Sequence, residues 1–209
     1  MRNIQVLALE MIQEAKSGHG GIVMSAAPIL YALYKDHVHF DVENPNWQNR
    51  DRVVLSAGHG SALLYATLFM TGFPYTIEDL KAFRKYGSKT PGHPEYDPML
   101  GIEMTTGPLG EGVSSAVGMA LGEKLEAMKN PNQVDYYVYA VCGDGDLMEG
   151  VSYEALSLAG IWQLDHLILL YDANKNSLDS SLENTFTENV MKRFLNLGFE
   201  VFSSSSDAT

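Results

Sequence analysis

The chain has 209 residues, of which 45% are hydrophobic and 19% charged, enough apolar material for one sizeable core and too much for a chain disordered throughout. Its 14 Lys and Arg against 26 Asp and Glu give a formal charge of -12. That balance argues against nucleic acid as a partner, because a phosphate backbone is held by clustered cations. One cysteine, Cys142, excludes an internal disulfide and fits a reducing compartment. Apolar runs such as 167–170 are far too short to span a membrane, and the first residues do not read as a leader. The expectation is a soluble, cytoplasmic protein with no membrane and no nucleic-acid partner.

Taken in chain order, Ile4, Leu7, Met11 and Ala15 form the stripe of an amphipathic helix, which Ser17-Gly18 ends. A Gly-rich loop is expected over 17–21, then a helix over 26–34 with Pro28 in its first turn. Asn44-Pro45-Asn46 reads as a turn, 52–55 as a short strand, and 61–70 as a helix behind Gly58-His59-Gly60. Residues 87–112 carry many Gly and Pro with little periodicity and read as a long ordered loop, a kind usually kept for function. A β-prone run at 136–142, helical spacing over 148–160 and a second apolar run at 166–172 make a βαβ unit, hence parallel strands. A further strand is expected over 198–202, with Ser203 to Ser206 and Asp207 as a helix cap. The fold class is therefore α/β, a mostly parallel sheet flanked by helices.

In parallel sheets ligands gather at the carboxyl ends of the strands. Gly143-Asp144-Gly145 lies at one such end and opens a helix, where backbone N–H groups suit a phosphate. Alone, Gly-Asp-Gly usually marks no more than a turn. Here Asn174 ends the next strand 29 residues beyond Gly145, so an amide oxygen joins the Asp144 carboxylate at the same edge. Two hard oxygens with open positions suit Mg²⁺ (or Ca²⁺) shared with a phosphate ligand. No Lys or Arg lies between Lys129 and Lys175, so a diphosphate here needs a metal to offset Asp144, Asp146 and Glu149.

Gly143 to Asn174 resembles the thiamine diphosphate signature, and the rest of the chain resembles the transketolase family. The resemblance runs in family order through Ser17-Gly18-His19-Gly20-Gly21, Asn49-Arg50-Asp51-Arg52, Ser56-Ala57-Gly58-His59-Gly60-Ser61 and Lys89-Thr90-Pro91-Gly92-His93-Pro94-Glu95. Thr105-Thr106-Gly107-Pro108-Leu109-Gly110-Glu111-Gly112 and the segment 143–160 complete it. It implies a thiamine diphosphate-binding fold, with 1–209 as most of the diphosphate-side domain. It implies that Asp144, Asn174 and the main-chain carbonyl of Asn176 hold the divalent ion. His59 and Gly145, with Asn174, would serve the diphosphate, and Gly107, Pro108 and Leu109 the ring side of the cofactor. His19 and His93 match histidines facing the sugar phosphate near the reacting carbon. Glu149 and Glu154 match acidic residues at a homodimer interface, although Glu149 could equally steady the first turn of its helix. The implied reaction moves a two-carbon ketol unit from a ketose phosphate to an aldose phosphate, in the pentose phosphate pathway. His37, His39 and His166, outside Gly-flanked loops, are read as structural, and Cys142 as a small buried residue.

Four departures stand out. Gly20 replaces a proline, Glu111 a glutamine and Asn176 an isoleucine, and 175–180 lacks the family's glycines. Transketolases also continue for several hundred residues, through the pyrimidine-binding domain whose glutamate activates the cofactor and through a C-terminal domain. On this expectation the chain is half a site, a transketolase fragment probed for activity only in the full-length enzyme. The alternative is the natural binding subunit of a split transketolase, inactive without a separate C-terminal chain.

Overall fold

The computed structural model describes residues 1–131, 133–173 and 185–204, together with the backbone of 176–177 and 180–181. Three apolar runs form one parallel sheet in the order β1-β2-β3: β1 is Arg52–Leu55, β2 is Val138–Gly143 and β3 is Leu167–Asp172. Leu55 pairs with Val141, and Gly143 with Asp172. All three strands therefore end at one edge.

Strand alternation divides the apolar side chains between two faces. Val53, Leu55, Tyr139 and Val141 join one buried cluster with α1 (Arg2–Ala15), α2 (Gly20–Ser25), α3 (Ala27–Asp36) and α4 (Ser61–Met70). Val54, Val138, Ala140 and Cys142 join another with α6 (Glu111–Lys129) and α8 (Gly150–Trp162). Helix α4 is covered along residues 61–68, so it is apolar almost all round. At the opposite, amino edge, Asp51 accepts from the N–H of His39 and of Tyr137, each at 2.7 Å. Arg50 grips Glu103 with two N–H groups at 2.9 and 2.7 Å. The Asn49-Arg50-Asp51-Arg52 block is thus a strap on the sheet, remote from the strand ends that concern function.

Several expectations change. The loop at 17–21 is shorter than expected, because Gly20 already opens α2 with His19 as its N-cap. The first helical position also suits a proline, since its N–H has no partner within the helix. The helix expected over 148–160 is α8, starting two residues later, and the helix that Gly143-Asp144-Gly145 opens is a separate short one, α7 (Asp144–Met148); the two are broken where Glu149 takes an extended ψ of 139°. No strand forms over 198–202. Instead Gly198, at φ 90°, closes α9 (Val190–Asn196), and Phe199 turns back to stack edge-on against Phe194 at 5.3 Å. The expected cap at Ser203 to Asp207 lies outside the described residues from 205 onward. Four helices add to those expected from the sequence: α2, α5 (Ile77–Lys81), α6 and α9. For α5 the signal was present, a capping box in which the Thr76 hydroxyl accepts from Asp79 N–H at 3.1 Å and the Asp79 carboxylate accepts from Thr76 N–H at 2.8 Å.

One buried carboxylate ties these parts together. Asp146 is fully enclosed; its Oδ1 accepts from the Ser56 hydroxyl at 2.6 Å and from Gly110 N–H at 3.0 Å, and its Oδ2 from Gly143 N–H at 3.0 Å. Its carbonyl accepts from the Ser152 hydroxyl at 2.6 Å, and the Ser56 oxygen in turn accepts from Val113 N–H at 3.1 Å. Removing the carboxylate strands three donors, two of them buried and Gly143 N–H partly so. Asp146→Ala is expected to cost about 3 kcal/mol or more, lowering the melting temperature by roughly 6–12 °C in a chain of this size. Asp146→Asn, which presents a donor to donors, should recover little of the loss in the same thermal melts.

Candidate functional site

The turns and loops that leave the three strands collect at the carboxyl edge. After β1 comes a single helical turn, Gly58–Gly60, bearing half-buried His59. A Cβ on Gly58 would lie 2.7 Å from the Thr106 hydroxyl and 3.0 Å from Gly107 N, so only glycine lets the 106–107 backbone lie against the end of β1. Thr106 fixes that approach by donating its hydroxyl to the Leu55 carbonyl at 2.9 Å. Gly107 faces His93, whose ring carbon Cγ is 3.6 Å from where a Cβ would stand. A Cβ on Gly145 would meet Leu109 at 2.9 Å. Pro108 is exposed in the same turn, which Glu111 N–H closes onto the Pro108 carbonyl at 3.4 Å.

The histidines come from three separate loops. His19, exposed, packs edge-on to His59 with ring centroids 5.2 Å apart. The loop carrying His93 is fastened to α4: Ser61 donates its hydroxyl to the Gly92 carbonyl at 2.7 Å, and Tyr65 donates to the Pro91 carbonyl at 3.0 Å. Buried Thr90 donates to the Asp79 carbonyl at 2.7 Å, pinning the loop's other end. Burial holds His59 below the ordinary imidazole value; His19 and His93 push the same way, against Asp146 and Asp172. Burial also lowers His93, helped by the Arg84 guanidinium and His19. Neutral rings that can take or give a proton result at neutral pH.

Asp144 is buried at the start of α7, and the Tyr171 hydroxyl donates to its Oδ1. Burial and that carboxylate raise the Tyr171 pKa, keeping its hydroxyl protonated as a donor. Asp172 accepts from the Ser25 hydroxyl at 2.6 Å, joining α2 to the end of β3. Neither Tyr171 nor Ser25 was singled out in the sequence. Only the sheet register and the seating of α2 bring them to these carboxylates.

The donor chemistry fits a hard divalent cation: a buried carboxylate at a strand end, with the backbone of β4 (Asn176–Ser177), paired to β5 (Ser180–Ser181), beside α7. Asn174, the expected amide ligand, and Lys175, Leu178 and Asp179 lie outside the described residues, as does the Asn176 side chain. Among the described residues no three His, Cys, Asp or Glu gather as a metal site. The expected set is a carboxylate, an amide and a carbonyl, which a diphosphate would complete with its own oxygens. The edge therefore brings together His19, His59, His93, Gly107, Leu109, Asp144 and Gly145. Cys142 is fully buried and its thiol pushed up by burial, as a packing residue should be. Glu149, the N-cap of α8, and Glu154 on it are exposed, beside exposed Val151, Leu158 and Ile161.

A family model described as the transketolase thiamine diphosphate binding domain matches residues 1–209. The transketolase of Bacillus subtilis is 54% identical over 202 residues, 95% of this chain and 30% of its own length. That of Aquifex aeolicus is 50% identical over 206 residues, again 30% of its length. Among solved structures, the transketolase of Campylobacter jejuni superposes with a TM-score of 0.92 at 48% identity, covering 95% of this chain and 31% of that one. The chain thus spans about 30% of the length of the curated relatives it matches.

The three-histidine cluster predicts a coupled titration. His59 should titrate below the ordinary histidine value, and His19→Ala should move its midpoint upward, since His19 is one of the groups that lower it. Following the Cε1–H resonances by NMR from pH 4.5 to 8 reads this directly; an unmoved His59 midpoint would mean that the two rings do not interact.

Proposed function

This chain belongs to the family of transketolase thiamine diphosphate-binding domains, and from that membership we propose that it forms the diphosphate-side half of a transketolase active site. Its domain is most of that diphosphate-side unit. The observation that carries the reading is the meeting, at one sheet edge, of a buried carboxylate, a glycine cradle and three histidines.

Asp144, the Asn176 carbonyl and Asn174 would hold Mg²⁺, and the ion would neutralise a diphosphate in a chain that is itself strongly negative. Gly145 and His59 would meet the diphosphate, and Gly107, Pro108 and Leu109 the ring side of the cofactor. When bound, thiamine diphosphate supplies the nucleophilic carbon for the transfer of a two-carbon unit. The chain's own part is orientation and proton handling. His19 and His93, at the open side of the cluster, would donate to and accept from the hydroxyls of a sugar phosphate, and burial keeps His93 neutral for that exchange. A transketolase of Pichia stipitis has been solved with sedoheptulose-7-phosphate and with fructose-6-phosphate, which supports ketose phosphates as the substrate class. The reaction would then be ketol transfer in the pentose phosphate pathway, in the cytoplasm, where a lone buried thiol is at home. No helix of the described residues is long and apolar enough to cross a membrane.

The rest of the pocket would come from a pyrimidine-binding domain, and the exposed face of α8, with Val151, Leu158, Ile161, Glu149 and Glu154, would lie in a homodimer interface. In the full-length protein, ketol transfer between a ketose phosphate and an aldose phosphate is expected, and its absence would end this reading. Asp144→Ala there should weaken magnesium-dependent thiamine diphosphate binding by about a hundredfold or more in calorimetry; undiminished magnesium dependence would mean that the ion is held elsewhere.

A further inference from the structure

Arg84 stands apart from the carboxylates, glycines and histidines of the site. It comes after α5 in the left-handed region at φ 63°, a conformation that a side-chain-bearing residue adopts at a cost. Its N–H donates to the Thr90 carbonyl at 2.9 Å, and the preceding Phe83 is buried. From that anchored backbone the guanidinium reaches between two loops. Nη1 donates to the Ser17 hydroxyl at 2.9 Å, two residues before His19. On the other side lies Gly92: a Cβ there would be 3.5 Å from Arg84 Cγ and Nε and 3.6 Å from Cζ, in ordinary contact, so the backbone before His93 runs one methyl's width from the side chain. Below them Phe83 would meet a Cβ on Gly18 at 3.3 Å. Arg84 Nε and Nη2 are enclosed and have no hydrogen-bond partner among the described residues.

These features do not describe a residue that serves stability. A left-handed backbone and two unmet buried donors are each unfavourable. A charge-free side chain would avoid the second cost. We propose that Arg84 is a positioning residue that bridges the loop of His19 to the loop of His93, fixing both rings against the open side of the site. This rests on reading His19 and His93 as sugar-facing, but the coupling itself requires only the two loops. The charged and titratable groups facing His93 from the elements packed around it are Arg84 behind α5, His19 at the head of α2, His59 after β1 and Tyr65 of α4, whose hydroxyl donates to the His93 carbonyl at 3.3 Å. Of these, only Arg84 is charged at every working pH. Its loss therefore has an electrical as well as a geometric signature.

The test uses the full chain and three variants, Arg84→Gln, Arg84→Lys and Ser17→Ala, with the histidine Cε1–H resonances followed through a pH titration. Arg84→Gln should raise the His93 midpoint by on the order of half a pH unit and displace the His19 and His93 signals together, while His166, at the far edge of the sheet, stays put. Arg84→Lys keeps the charge but loses the flat fork that spans both loops. It should restore the His93 midpoint and leave both ring signals displaced. Ser17→Ala touches only the distant end of the bridge and does not disturb the backbone of Arg84, so it remains informative if Arg84→Gln unfolds. It should shift the His93 resonance although Ser17 is on the other loop. A His93 resonance and midpoint unchanged in Ser17→Ala, or in folded Arg84→Gln, would overturn the proposal. All readings are made without cofactor, so a failure to bind thiamine diphosphate would sink the functional reading and leave this one standing.

Discussion

The Asp146 carboxylate is the constraint on which the carboxyl edge depends. It sits where β1, β2 and the first turn of α6 meet, and its two oxygens collect one donor from each. Such an anion is tolerated in the interior because every approach to it ends in an N–H or O–H, and charge-assisted bonds of this kind are the stronger sort. The arrangement also sets distances. Gly110 can reach Asp146 only with a left-handed backbone, φ 81°, and a Cβ there would meet Glu149, Val151 and Ser152 at 2.9 Å. Gly112 is bound as tightly, since a Cβ would stand 2.4 Å from Ser56 Cα. Two glycines thus let α6 start directly on the end of β1.

From that junction the candidate site is set by packing. Fixing 107–110 beside Gly145 seats Leu109, and fixing Thr106 on Leu55 turns Gly107 toward His93. Asp146 and Asp144 are two residues apart and have divided labour: one faces inward to donors of the fold, the other is presented at the strand end with Tyr171 against it. The same physics explains the histidines. Burial and the neighbouring positive groups disfavour the charged forms of His59 and His93, so these two rings are neutral at neutral pH.

Much of the fold was legible. The strands at 52–55, 136–142 and 166–172 have apolar runs bounded by turn residues, and the observed strands fall on them with small shifts at the ends. Helix α6 was missed because its small residues and glycines, such as Gly118 and Gly122, blur the apolar stripe; it is held by close packing on the sheet, where small side chains are an advantage. The expected strand at 198–202 failed for the complementary reason. Its residues are β-prone, but a strand needs a neighbour to bond to, and Gly198 with Phe199 commits the chain to a helix end instead.

The sequence by itself determined the class of the fold, the sheet edge at which the candidate site lies and the acidic character of the chain. Those come from residue type, spacing and summed charge, which are properties of short windows or of the whole chain. Tertiary structure alone decided which loops meet. His19, His59 and His93 are separated by tens of residues, and nothing in their spacing says that their rings share one space; the seating of α2 and α4 on the sheet does. Tyr171 on Asp144 and Arg84 between Ser17 and Gly92 are of the same kind. Contacts across long stretches of chain depend on how packed elements are set against each other, and no local pattern encodes that.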